Sequence, residues 1–283
     1  MSFISMEGPV GRAYRDGYAV PAFCTWNAET IEVVLRVAER MRAPVILMHG
    51  PSEFTVLPPA FMASVARTVG ERYDVPAVLH LDHGDTPDLV EKCLASGYTS
   101  VMLDYSMRPF EENVDALREV GRSSHPRGVT VEGELGKVGK ADELSAEGGD
   151  RLALTDPRQA AEYVRRTAVD LLAVSVGNKH GFYQGEPHLE FGLLEELHAA
   201  VDVPLVMHGG TGIPEKDIQR SIAHGIAKVN VASELVHGLR GSLSSQWAGG
   251  RNLWTPLAMA EAVHGLEASI ERWIRITGAE GRA

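Results

Sequence analysis

A chain of 283 residues can bury a full core and suits one large α/β barrel or two ordinary domains. Its 27 Lys and Arg against 38 Asp and Glu leave a formal charge of −11, which argues against nucleic acid or anionic membrane as a partner, and no basic stripe offsets it. Two cysteines, Cys24 and Cys93, neither in a C-x-x-C pair, argue against a disulfide framework.

The first residues, MSFISMEGPVGR, lack the charged and apolar regions of a signal peptide, and no apolar run reaches transmembrane length. A cytoplasmic protein is expected. Strand-like apolar runs follow in order: AVPAFC (19–24), PVILMH (44–49), PAVLHLDH (76–83), SVMLDY (100–105), TVEGEL (130–135), LLAVSV (171–176), PLVMHG (204–209) and KVNVAS (228–233). Amphipathic stretches such as ETIEVVLRVAERM and RQAAEYVRRTA separate them. Strands buried on both faces and joined by helical crossovers predict a (β/α)8 TIM barrel with a C-terminal helical extension. A doubly wound sheet is the alternative, but PAFCTWNAE after the first strand is not its Gly-rich turn. The expectation is one domain over 1–283, with the barrel at about 17–247 and a helical tail at about 255–276 that packs on the barrel or on a partner subunit.

Two connections, 136–156 and 177–190, are long and Gly-rich, as active-site lids often are. Both follow strands, which places them at the C-terminal face where barrel enzymes do their chemistry. The strand ends there carry Asp82 and His83, Asp104, Glu132 and Glu134, His180 just beyond the sixth strand, and His208. Three histidines and a carboxylate from separate strands can make a zinc site with an open position. Strict alternation would send Asp82 and His83 to opposite faces, so they share a site only if the third strand has begun to turn. His80 reads as a packing or supporting residue. His188 and His198 read as solvent-facing, and one of Glu132 and Glu134 as a satisfied interior carboxylate. HGGTGIP (208–214) and KVNVASE (228–234) follow strands seven and eight, where barrels often bind phosphate through backbone N–H groups.

The set H-x-D-H at 80–83, VEGELG at 131–136, VGNKHGFY at 176–183, HGGTG at 208–212 and KVNVAS at 228–233 resembles the zinc-dependent class II ketose-bisphosphate aldolases. The likeness runs in order from about Pro21 to Val236 and is nearest to the tagatose-bisphosphate and fructose-bisphosphate branch. The resemblance implies that His83, His180 and His208 hold a catalytic Zn2+ and that Asp82 moves protons. Asp104 and Glu134 would line an alternative or second metal position. Gly181, Gly209, Thr211, Asn230, Ala232 and Ser233 would hold the 1-phosphate of a sugar phosphate, with a monovalent cation, Na+ or K+, nearby. The implied activity is reversible cleavage of a ketose 1-phosphate or ketose 1,6-bisphosphate to dihydroxyacetone phosphate and an aldehyde, in a homodimer or homotetramer. Zinc would stabilise the enediolate while Asp82 serves as general base and acid.

The chain also departs from that pattern. Counting from Glu134 puts the family's proton-transfer Glu at Asp142, one methylene shorter, with Glu143 beside it. At the aldehyde end, Cys24, Gly50 and the WTP of 254–256 stand where bisphosphate enzymes carry Asn, Ser or Thr, and Arg. Arg251 lies near enough in sequence to substitute, and Trp26 and His49 are expected close to that end. Altered aldehyde specificity is therefore expected. Two rivals are a Schiff-base aldolase acting through Lys179 and a non-catalytic sugar-phosphate-binding barrel. A barrel hydrolase would want H-x-H on the first strand, which PAFCTWN lacks.

Overall fold

The computed structural model describes residues 3–141, 153–251 and 254–283. Eight parallel strands close into one barrel: β1 (Val20–Cys24), β2 (Val45–His49), β3 (Ala77–Gly84), β4 (Ser100–Leu103), β5 (Thr130–Leu135), β6 (Leu171–Val174), β7 (Leu205–Met207) and β8 (Ile226–Val231). Each strand pairs with its neighbours in sequence, and β8 closes on β1 from Val20↔Lys228 to Phe23↔Val231. Every apolar run read from the sequence forms one of these strands. The eighth begins at Ile226, two residues before the expected lysine.

All eight strands are buried along their whole length because helices cover the outer face and side chains fill the interior. The first crossover helix, Ala28–Met41, shows how the sequence makes such a cover. Asn27 accepts the N–H of Thr30 while Thr30 Oγ1 accepts the N–H of Asn27, and Ile31, Val34, Leu35 and Ala38 turn inward. A helix at Glu7–Asp16 precedes the barrel, and Ser5 and the Glu7 N–H both bond Thr130 Oγ1 at the start of β5. The expected tail forms two helices, Thr255–His264 and Glu267–Ile276. It packs on this same barrel: Trp273 is fully buried, and Glu267 pairs with Arg36 and Arg40 of the first crossover helix. No helix among the described residues is long and apolar enough to cross a membrane.

Beyond the barrel, Gly139–Lys140 pairs in parallel with Lys179–His180, so the starts of the two long connections form a small ladder. Asp142 and Glu143 lie outside the described residues.

The third strand departs from regular pairing at its end. Its partner register passes from Leu81↔Val101 to Gly84↔Leu103, so β3 carries one residue more than β4. His83 sits in this bulge at φ 45, a left-handed conformation that a non-Gly residue adopts at a cost. Gly84 is pressed against the neighbouring strand. A Cβ there would meet Met102 O at 2.5 Å and Leu81 Cδ2 at 2.9 Å.

His49 ends β2 but points away from the barrel axis. Its Nε2 pairs with Thr25 Oγ1 at 2.9 Å, its Nδ1 with the Tyr98 hydroxyl at 2.9 Å, and its ring packs edge-on to Phe54 and Tyr98. Burial, with a smaller push from His80, lowers its pKa to about 3.

Gly84→Ala is expected to destabilise the fold by about 1–3 kcal/mol, because the backbone of β4 cannot move away. Urea unfolding of the metal-free protein measures this, and wild-type stability in the variant would show that the strands are not held at this spacing. For His49 the folded pKa lies below the unfolded value, so its neutral ring favours the fold above pH 6.5. That contribution drains away as pH falls from about 6.5 towards about 3. Replacing His49 with Leu is expected to lower the unfolding midpoint at pH 7 and to flatten its decline over this acid range. An unchanged slope would assign the decline to other groups.

Candidate active site

The mouth at the C-terminal ends of the strands gathers the polar residues singled out in the sequence. The bulge in β3 resolves the alternation problem: Asp82 points inward by the ordinary pleat, and the extra residue swings His83 to the same side. Ligand atoms of His83, His180 and His208 lie within 4.8 Å of one another. The ring centroids are 4.6 Å apart for His83 and His208, 5.1 Å for His83 and His180, and 5.9 Å for His180 and His208. All three rings are buried.

Each ring has a defined support. His83 Nδ1 pairs with Asp104 Oδ2 at 2.8 Å, and Asp104 Oδ1 accepts the Ser106 N–H. His208 Nε2 pairs with Glu132 Oε1 at 2.9 Å, and Asn178 donates to the His208 carbonyl. His180 is set by the lid ladder, where its carbonyl accepts the Ala141 N–H at 2.7 Å. These supports leave His83 Nε2 and His208 Nδ1 buried without a hydrogen bond. The latter lies 3.3 Å from Glu134 Oε2 but is not well aligned with it.

The electrostatics call for a cation. Among the described residues, Asp82, Asp104, Glu132 and Glu134 gather here with one buried lysine, Lys228, whose Nζ is 2.9 Å from Glu132 Oε2. Burial pushes His83 down, but Asp82, Asp104 and Glu134 outweigh it and hold the ring well above the usual histidine range. Burial and the nearby His83 oppose protonation of His208, yet the bonded Glu132 and the adjacent Glu134 lift it to about 9. Burial, His83 and His208 push His180 well below the ordinary value. Two adjacent imidazoles that attract protons, with unbonded nitrogens turned to a third, describe a site that a dication would fill in place of those protons. Three imidazoles suit a borderline metal such as zinc. His83, Asp104 and Glu134 form a second group able to hold a metal ion. A third, His80, Asp82 and Glu132, already has the Lys228 ammonium against it.

Asp82 is buried, and Asn230 Nδ2 donates to its Oδ1 at 3.0 Å. Burial alone would raise its pKa, but His83, His208, Lys228 and His80 outweigh that and lower it, so the carboxylate is ionised. Asp82 and His180 line a small cavity with Met48, Gly181, Gly209, Thr211, Asn230, Ala232 and Ser233. Its far wall is the start of the helix Ser233–Ala248, whose N-cap, Ala232, offers no side-chain cap. An uncapped helix start among glycines suits an anion. Gly209 takes φ 67, and a Cβ there would collide with the Lys179 carbonyl, which is why this turn needs glycine.

Of the residues expected at the aldehyde end, Cys24 is buried and pairs in register with Met48, and Trp26 is half-buried just beyond β1. The Gly50 N–H is taken by Glu53. Met48, and not His49, lines the cavity. His49, expected near the aldehyde end, instead spends both nitrogens behind the strand on Thr25 and Tyr98. Arg251 is an exposed tail residue 3.7 Å from Glu261. Lys179 is half-buried and lines a different cavity, with Ala141, Tyr183 and His188. His188 is exposed as expected. His198 is half-buried, against Tyr14 and Gly225. Lys228 was not visible as a site residue in the sequence, where its one signal is a charge in the middle of an apolar strand.

Comparison with known proteins identifies the family. The family described as "Fructose-bisphosphate aldolase class-II" matches residues 5–282. A D-tagatose-1,6-bisphosphate aldolase subunit, GatY, of Klebsiella oxytoca is 38% identical over 285 residues, covering all of both chains. Among solved structures, the YdjI aldolase of Escherichia coli K12 superposes with a TM-score of 0.88 at 31% identity, covering 99% of each chain. A putative fructose-1,6-bisphosphate aldolase of Coccidioides immitis superposes with a TM-score of 0.86 at 25% identity, covering 98% of this chain and 97% of that one. The chain belongs to the class II fructose-bisphosphate aldolase family and is an aldolase.

Proposed function

We propose that the protein is a zinc-dependent aldolase that reversibly cleaves a ketose 1-phosphate or ketose 1,6-bisphosphate to dihydroxyacetone phosphate and an aldehyde. The observation that carries this reading is the convergence of His83, His180 and His208 beside the ionised Asp82, across a cavity from an uncapped helix start. His83, His180 and His208 would hold the zinc, and Asp104 and Glu134 would offer a second position. Zinc bound there supplies a Lewis acid for the C2 oxygen of the ketose and the charge that develops on it.

The chain's own groups do the rest. The Gly181, Gly209 and Thr211 segment, Asn230 and the Ala232–Ser233 helix start hold the 1-phosphate and so fix the sugar's direction in the mouth. A monovalent cation, Na+ or K+, would share that end. Asp82 takes the proton of the C4 hydroxyl as the C3–C4 bond breaks; the C4 oxygen becomes the aldehyde carbonyl and the bonding pair stays with the three-carbon fragment. A carboxyl group of the first lid, Asp142 or Glu143, then protonates C3. In condensation each proton returns. Asn230 keeps Asp82 oriented through the 3.0 Å bond to Oδ1.

The aldehyde end takes a substrate other than an ordinary three-carbon aldehyde phosphate. What supports this is the departure from the family pattern at Cys24 and Gly50, together with Arg251, which is exposed in the tail beside Glu261. The subunit name of the GatY relative supports assembly, as a homodimer or homotetramer. The Schiff-base rival is disfavoured because Lys179 opens on a cavity apart from the histidines.

Removal of zinc by a chelator is expected to abolish turnover, and Asp82→Asn is expected to lower kcat by about 10²–10⁴-fold while zinc content stays at wild-type level. Turnover that survives chelation, or borohydride trapping of a substrate on Lys179, would sink the zinc reading; full aldol activity in Asp82→Asn would remove the base. In a cleavage panel, at least one ketose 1-phosphate is expected to match or exceed fructose and tagatose bisphosphates in kcat/KM. Efficient bisphosphate cleavage, unmatched by any singly phosphorylated ketose, would refute the altered aldehyde end.

A further inference from the structure

Lys228 stands on β8 inside the barrel with no exposed surface. Burying an ammonium costs several kcal/mol unless a partner and good geometry offset the loss of water. The partner is Glu132, itself fully buried, with Nζ 2.9 Å from one carboxylate oxygen and 3.2 Å from the other. Glu132 Oε1 also pairs with His208 Nε2 at 2.9 Å. A carboxylate in that position accepts the Nε2–H, so the ring's other nitrogen, Nδ1, carries the lone pair. Nδ1 is the buried atom left without a hydrogen bond, on the ring that converges with His83 and His180.

We infer that Lys228 is a positioning residue for the metal: it clamps both oxygens of Glu132, and the clamped carboxylate fixes the His208 ring with Nδ1 turned to the ion. The inference rests on the reading of His83, His180 and His208 as a zinc site. Lys228 is not a nucleophile, because both its burial and its bond to Glu132 keep a substrate carbonyl away. Neither is it only a filler of the interior, since a hydrocarbon of similar length would fill the same space and leave Glu132 free to turn. His80 borders the same ion pair, with Nε2 3.6 Å from Glu132 Oε2, but its Nδ1 is anchored on Ser100 of the next strand. It offers Glu132 no second clamp.

The test is zinc affinity, measured by competition with a chromogenic chelator, alongside urea stability of the zinc-free proteins. Lys228→Met is expected to bind zinc about 10–100-fold more weakly than wild type, as loss of groups that orient metal ligands commonly does. Lys228→Arg, which keeps a cation opposite Glu132, is expected to recover part of that loss. Lys228→Met leaves a buried carboxylate without its cation and is expected to lower stability, so a second variant guards the test. Lys228→Met combined with Glu132→Gln removes both charges together, keeps an acceptor for His208, and is expected to show the same weakening. Wild-type zinc affinity in either Lys228→Met protein, whatever its stability, would overturn the inference. A wild-type protein that takes up no zinc would overturn the site reading first and the inference with it.

Discussion

One extra residue near the end of β3 governs the chemistry of the mouth. A strand presents alternate side chains to opposite faces, so an acid and an imidazole that follow one another cannot normally serve one site. The bulge at Asp82–His83 breaks that rule locally and holds both groups over the barrel interior. A left-handed non-Gly residue costs of order 1–3 kcal/mol and persists only where its surroundings over-determine it. Here the surroundings are specific. Asp104 grips the His83 ring, the Asp104 N–H bonds the Gly84 carbonyl at 2.8 Å, and Gly84 leaves no room between β3 and β4.

The second constraint is charge. Barrel interiors are usually apolar layers of branched side chains. Among the described residues, this one carries four carboxylates in and around its upper layers, with a single lysine, Lys228, beside them. Such groups are stable in low dielectric only when paired. Lys228 with Glu132, Asn230 with Asp82, and the histidines with Asp104 and Glu132 pair most of them. Glu134 remains least satisfied: burial and the nearby Asp104 raise its pKa. A cation at the proposed site would complete this polar network, and its binding would then be coupled to local order.

The barrel was legible in the sequence because each strand, buried on both faces, reads as a short apolar run. The histidines were legible because they interrupt such runs at their C-terminal ends. Their partners were harder to see. Lys228 and Glu132 lie nearly a hundred positions apart and meet only because closure of the barrel brings β5 and β8 into one interior layer. His49 misled for the opposite reason: it ends a strand like the others, but its place in the pleat, opposite in phase to Met48, sends it behind the sheet to Thr25 and Tyr98. The pleat also separates Lys179 from His180. The role of the tail was invisible in its composition. Glu234, in the first turn of the helix at Ser233–Ala248, accepts bonds from Trp273 Nε1 at 2.9 Å and from Arg272 at 2.7 and 2.8 Å.

That last contact bears on how the two ends of the substrate can diverge. A negative side chain in the first turn favours the helix dipole but opposes an anion bound at the same terminus. Arg272 and Trp273 draw the Glu234 carboxylate towards the tail and answer its charge, while its N–H bonds Thr211 at 3.3 Å. On the proposed reading, the anion end would be built largely from backbone groups held by a distant helix. Substitutions around it are costly because they move the backbone, as the collision of any Gly209 side chain with Lys179 illustrates. The residues expected at the aldehyde end, Cys24 and Trp26, are side chains at the tip of β1, whose replacement would leave the barrel hydrogen bonds intact. A scaffold divided in this way can keep one half of its substrate constant while the other half changes, which is the physical basis for expecting the departures from the family pattern to gather at the aldehyde end.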